Sequence, residues 1–182
     1  MKPSSFTFIT GNQHKADYLA KWLEVPVEHH KLDLDEIQSL DLDMVAEHKA
    51  RQAYEILQRP VLVEDASLTF TAMGRLPGTF IKWFIEELGM DGLVRLAASL
   101  PSQEAVGRVV YAFYDGVDLK LFDGEMRGRI VTEPKGDGGF GFDPIFVNDG
   151  YSQTRGEMDE DDYVATSYRT KALQKLHAYL AS

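Results

Sequence analysis

No cysteine occurs in the 182 residues of this chain, which excludes disulfides, zinc–thiolate sites and thiol nucleophiles together. Basic residues are scarce: 19 Lys and Arg stand against 29 Asp and Glu, for a formal net charge of -10. Nucleic acid and anionic membrane surfaces are held by clustered cations, so neither is an expected partner. An anionic small molecule would need a local cationic pocket or a metal ion. No apolar run approaches the roughly 20 residues of a membrane-spanning helix. Met1 to Ser5 precede only a very short apolar run, without a signal-peptide core, so the expected compartment is the cytoplasm. Low-complexity runs and internal repeats are missing too. What remains is a globular composition, 44% hydrophobic and 26% charged, and residues 1–182 are read as a single domain with a sizeable core.

The most informative stretch that is present lies at the start. Phe6 to Ile9 reads as a strand that runs into Thr10, Gly11, Asn12, Gln13, His14 and Lys15. A strand breaking at Gly into a polar helix start leaves first-turn amides without intrahelical partners at the positive end of the helix dipole. Such a turn suits a phosphate group, and Lys15 can add a full charge. An ordinary Gly/Asn turn has the same local pattern.

Apolar spacing extends this opening into alternating strands and helices. A helix is expected over roughly 12–24, a strand over Val25 to Lys31, and an acidic loop from Leu32 to Asp43. A second helix follows, marked by Ala46, Ala50, Ala53 and Leu57 and terminated by Pro60; Val61 to Val63 form a short buried strand. After a Gly/Pro loop from Met73 to Gly78 come an aromatic helix, Phe80 to Leu88, and an amphipathic segment, Leu93 to Leu100. Val106 to Tyr114 and Leu119 to Val131 read as an antiparallel pair turned at Asp115 and Gly116. A glycine-rich loop spans Gly136 to Gly141, and a final helix Ser167 to Leu180. The fold class is α/β.

Acidic residues supply a second signal. Glu64 and Asp65 sit where the strand 61–63 is expected to end, the place where α/β sheets usually bind ligands. Two adjacent carboxylates there can hold a hard cation, with Glu36 a further candidate ligand; magnesium takes one or two carboxylates plus water and substrate phosphates. A turn cap beside a solvated acid, and a solvated loop for Glu36, are the plainer alternatives. The segment Gly138, Gly139, Phe140, Gly141, Phe142, Asp143, Pro144 could stack a flat base on an aromatic face, or its rings could anchor the turn in the core. Lys49, Lys82 and Arg169 are single basic residues on expected helices or their edges.

Together these pieces resemble the inosine triphosphate pyrophosphatase family along essentially the whole chain. The motifs occur in family order: Thr10, Gly11, Asn12 with Lys15; Lys49, Ala50, Arg51 with Ala53; Val63, Glu64, Asp65, Ala66, Ser67, Leu68; Leu76, Pro77, Gly78; Phe140 to Pro144; Thr154 with Glu157 and Met158; and Ser167 with Arg169, Ala172 and Leu173. The resemblance implies a long central mixed sheet with helices on both sides, forming two lobes around a nucleotide cleft. It implies a Mg2+-dependent hydrolysis of nucleoside triphosphates, those of deaminated purines, to monophosphate and pyrophosphate, and commonly a homodimer. Thr10, Gly11, Asn12 and Lys15 would hold the triphosphate with Lys49 and Lys82, Lys15 taking part in catalysis. Glu36, Glu64 and Asp65 would bind Mg2+, Asp65 would be the general base, and Phe140, Gly141, Phe142 and Asp143 would frame the base.

Departures from the family concentrate near the C-terminus and bear on specificity. Tyr163 and Tyr168 stand where relatives carry Lys and His, beside a retained Arg169, and Ala66 replaces a common Ser or Thr. A tyrosine keeps a ring and a donor but no positive charge. Arg155, where relatives often have an apolar or aromatic residue, could supply a compensating cation or be a solvated loop residue. Altered base choice, including a modified pyrimidine, and a nucleotide-binding protein with impaired catalysis are therefore the alternatives. A dehydrogenase-like dinucleotide site is excluded, because the opening loop lacks the three-glycine pattern.

Overall fold

The computed structural model describes residues 6–23 and 27–181. Its elements are β1 (Thr7–Ile9), α1 (Gln13–Leu23), β2 (His29–His30), α2 (Leu42–Leu57), β3 (Val61–Phe70), β4 (Pro77–Gly78), α3 (Ile81–Ala98), β5 (Glu104–Tyr114), β6 (Leu119–Ile130), β7 (Phe146–Asn148), α4 (Glu160–Thr166) and α5 (Tyr168–Ala181). The strands form one mixed sheet in the order β2-β1-β3-β5-β6-β7, with β4 paired to β3. Two compact units are distinguished: Met1–Asp65, Val109–Gly124 and Lys171–Ser182 in the first, Ala66–Arg108 and Glu125–Thr170 in the second.

In the first unit β1 lies between β2 and β3, parallel to both, with Thr7, Phe8 and Ile9 opposite Val61, Leu62 and Val63. A strand flanked on both sides needs no polar alternation, and all three β1 residues are buried. Helix α2 starts at Asp41, whose side chain accepts from the Asp43 and Met44 amides, a carboxylate cap at the positive end of the dipole. The helix ends at Gln58 in the left-handed region, two residues before Pro60. Ala46, Ala50 and Ala53, all fully buried, pack with Ile9, Val61, Val63, Val110 and Ala112. The small methyls bring α2 close to the strands, and each buried Val or Ile contributes roughly 1.5–3 kcal/mol.

In the second unit β6 and β7 pair antiparallel, Gly128 opposite Asn148 and Ile130 opposite Phe146. Ile145, Phe146, Val147 and Phe142 are buried there. Helix α3 is interrupted at Gly89 (φ 65°, ψ 178°), which matches the two helical stretches expected on either side of Leu88 to Leu93. Helix α4 has no counterpart in the expected elements, because its seven residues EDDYVAT carry no apolar stripe.

Three expectations are corrected. The strand expected over Val25 to Lys31 is the two residues of β2, and residues 24–26 lie outside the described ones. The loop expected from Met73 to Gly78 ends in a strand, β4, whose Pro77 and Gly78 oppose Thr69 and Leu68. The strand expected to stop at Val63 continues to Phe70, so Glu64 and Asp65 lie inside β3. What ends opposite Val63 is its partner β1, at Ile9, and β3 goes on because its other neighbour, β5, stays beside it. Among the described residues no helix is long and apolar enough to cross a membrane.

Candidate functional site

The register of the first unit assembles one cluster from five segments. Because β1 stops opposite Val63, Glu64 falls beside the turn that follows β1. In that turn the Asn12 amide donates to Thr10 Oγ1 (3.0 Å) and the Lys15 amide donates to Asn12 Oδ1 (3.3 Å). Asn12 thus caps α1, and the amides of Gln13 and His14 keep no intrahelical acceptor. Lys15, one turn in, reaches back to Glu64, Nζ to Oε1 3.1 Å. The Glu64 side chain is 1% exposed, and the wholly buried Tyr111 on β5 donates its hydroxyl to the other carboxylate oxygen at 2.7 Å.

Asp65 is gripped from α2. Lys49 Nζ lies 3.0 Å from Asp65 Oδ1 and 3.5 Å from Glu36 Oε1. The loop carrying Glu36 is tied down one residue earlier, where Asp35 accepts from and donates to the Gln52 side chain on α2. Glu36 itself is exposed, its side chain 41% accessible, and Lys49 is what links it to the cluster. Asp65 Oδ2 is buried without a hydrogen-bond partner. Desolvation pushes the Asp65 carboxyl above its ordinary 3.8, with Lys49 pulling it back part of the way.

Hard cations take oxygen donors, and this cluster offers three carboxylates, one with an unpartnered buried oxygen. The donors fit a divalent ion. They do not converge as a ready cage: among the described residues no group of three acidic or His side chains is placed to hold a metal, since each carboxylate leans on an ammonium group. Three carboxylates against two lysines leave the cluster formally anionic, unfavourable for a polyphosphate unless a cation accompanies it.

The base-framing candidates lie in the second unit. Phe142 is a core ring, 5% exposed and packed at 6.1 Å from Phe146 and 6.2 Å from Tyr168; Phe140 is half-buried, with the Arg169 guanidinium 4.0 Å over its face. Tyr168 and Arg169 are buried, and Arg169 donates to the Tyr168 hydroxyl at 2.7 Å. The Asp143 carboxylate accepts from the Phe140 amide (2.9 Å), the Tyr163 hydroxyl (2.8 Å) and Arg155 Nε (2.9 Å). Two glycines make that turn possible. A Cβ on Gly139 (φ +70°) would lie 2.2 Å from Asp143 Oδ2, and one on Gly136 (φ +76°) 2.2 Å from the Gly156 backbone. Gly141 is exposed, Ala66 is half-buried where β3 enters the second unit, and exposed Lys82 on α3 holds its ammonium 5.2 Å from the Trp83 ring.

Two residues, Tyr111 and Lys31, escape a reading of the sequence, and a third, Arg155, is placed otherwise than in a solvated loop. Tyr111 is 47 positions from Glu64 and sits in an unremarkable apolar run. Lys31 lays its side chain across Gly11, 3.1 Å from where a Cβ would stand, a placement that depends on β2 pairing with β1. Arg155 is wholly buried rather than solvated, its guanidinium 4.2 Å over the Tyr163 ring.

The Ham1 family pattern matches residues 6–179. An inosine triphosphate pyrophosphatase 2 of Trypanosoma cruzi is 42% identical over 177 residues, covering 95% of this chain and 90% of that protein. An inosine triphosphate pyrophosphatase of Pyricularia oryzae is 44% identical over 178 residues, covering 96% and 92%. Among solved structures, a HAM1 protein from Coxiella burnetii superposes with a TM-score of 0.83 at 24% identity, over 97% of this chain and 98% of that one, a likeness of fold.

Proposed function

The chain belongs to the Ham1 family, and from that membership we propose that it is a nucleoside triphosphate diphosphatase, cleaving inosine, deoxyinosine and xanthosine triphosphates to the monophosphate and pyrophosphate. The observation that carries the reading is the lysine–carboxylate cluster: Lys15 on Glu64, Lys49 on Asp65 and Glu36, all at the end of β1. Two ammonium groups, paired to the sheltered carboxylates of Glu64 and Asp65 and to the exposed one of Glu36, are counter-ions that a triphosphate can recruit, together with the first-turn amides of α1 and the side chain of Lys31.

Attack of water on the α-phosphorus needs an acceptor for its proton. Asp65 Oδ2, buried and unpartnered, is the proposed acceptor, and the raised proton affinity of its carboxyl suits that task. Lys15 and Lys49 neutralise charge on the phosphate oxygens and the departing pyrophosphate. Tyr111 holds Glu64 in place. Glu64, Asp65 and Glu36 are the proposed ligands of Mg2+, which when bound supplies charge neutralisation on the triphosphate. Phe140, Phe142, Asp143, Tyr163, Tyr168 and Arg169 are the proposed frame of the base, with Lys82 a further proposed phosphate contact. A single domain, a homodimer and a cytoplasmic address complete the proposal.

The test is product analysis with inosine triphosphate, with Mg2+ and after chelation. Equimolar monophosphate and pyrophosphate, lost on chelation and restored by Mg2+, is the expected result. Release of orthophosphate, or no turnover of any nucleotide, overturns the reading.

A further inference from the structure

Arg155 carries more buried hydrogen bonding than any role described so far requires. It opens a short 3-10 turn, Arg155–Glu157, that is fixed by a reciprocal capping box between Thr154 and Glu157, and the Gly156 carbonyl beside it accepts from the Gly138 amide at 3.0 Å. Its Nε donates to Asp143 (2.9 Å), and one Nη donates to Asn148 at the end of β7 (3.1 Å) and to Thr166 at the end of α4 (2.9 Å). One guanidinium thus joins β7, α4 and the glycine-rich loop, while its plane lies 4.2 Å over the Tyr163 ring. The second Nη is buried without a partner.

A phenol has one proton and two lone pairs. The Tyr163 proton is committed to Asp143 Oδ2 at 2.8 Å, and the bond from Arg155 Nε to the other oxygen, Oδ1, at 2.9 Å fixes that carboxylate in place against the phenol. The hydroxyl oxygen of the half-buried Tyr163 then has only its lone pairs to offer, as an acceptor alone. We propose that Arg155 is the positioning residue that sets base selectivity, holding Asp143 and Tyr163 so that Tyr163 offers a nucleotide base a hydrogen-bond acceptor and no donor. An acceptor so fixed favours a base edge with a ring N–H, as in oxo-purines and uracil. It opposes adenine, whose ring nitrogen at that edge is a bare acceptor. This rests on the proposed function, because it needs a nucleotide in the site.

The experiment compares kcat and KM for inosine and adenosine triphosphates in the wild type and in Arg155→Met, Arg155→Lys and Tyr163→Phe, each checked for folding by circular dichroism. Arg155→Met removes the guanidinium that fixes the Asp143 carboxylate against the phenol, so the phenol proton is no longer held inward, and the inosine-over-adenosine ratio of kcat/KM is expected to fall by about tenfold, the worth of one hydrogen bond, with the loss on KM. Arg155→Lys keeps the charge without the planar fork and recovers part of the ratio. Tyr163→Phe retains the Arg155–Asp143 pair and removes only the phenol, so it decides the matter where Arg155→Met does not fold; its ratio falls too. Unchanged ratios in folded variants overturn the role of Arg155 while leaving pyrophosphate release intact. A wild type that hydrolyses no nucleoside triphosphate overturns the underlying reading instead.

Discussion

Replacing Asp65 by Asn separates the chemistry of the phosphate cluster from its contribution to folding. The amide keeps the shape of the side chain and an oxygen for Lys49, 3.0 Å away, but it cannot take a proton from water. Loss of a positioned general base typically costs about 10²- to 10⁴-fold in rate, or about 2.7–5.4 kcal/mol of transition-state stabilisation. Folding responds with the opposite sign. Burial raises the Asp65 carboxyl above its ordinary 3.8 despite Lys49. Its contribution to stability is therefore complete below that value and is lost as the pH climbs through the raised one. Asn has no such loss, so the variant should gain on the wild type as the pH rises from acid to neutral, and Lys49 retains Glu36 at 3.5 Å. Urea unfolding of the metal-free protein across this range, beside initial rates of pyrophosphate release, measures both effects. A folded variant that keeps more than about a tenth of wild-type kcat/KM contradicts the expected loss and removes Asp65 from the mechanism; a variant that loses stability with rising pH refutes the electrostatic account.

Two further outcomes follow from single contacts. Tyr111→Phe deletes the hydroxyl bond to the buried Glu64 oxygen, 2.7 Å, and should lower stability by about 1.5–3 kcal/mol, or about 3–12 °C in Tm; calorimetry showing no shift would mean that the hydroxyl does not support Glu64. At Tyr163, burial and then the Asp143 charge push the phenol pKa above its ordinary 10.0, so its stabilising share is whole below pH 10 and fades at higher pH. The stability gap between wild type and Tyr163→Phe should narrow above that pH in alkaline unfolding, and a constant gap would refute the account.

The sequence by itself determined what local chemistry can write. Strand, turn and helix start from Phe6 to Lys15 are legible because every contact that shapes them, Asn12 to Thr10 and Lys15 to Asn12, spans two or three residues. The alanine face of α2 and the carboxylates Glu64 and Asp65 are equally local signals, and the ordered motifs they belong to identified the family. Tertiary structure decided which groups meet. Strand register set Glu64 beside the end of β1 and put Tyr111 and Lys31 against the cluster, partners no spacing rule reveals. It also turned Arg155 inward, because Asp143, Asn148, Tyr163 and Thr166 converge on it from separate elements. A buried guanidinium and a solvated one have the same letter in a sequence; only the assembled partners supply the counter-charge and acceptors that make burial affordable.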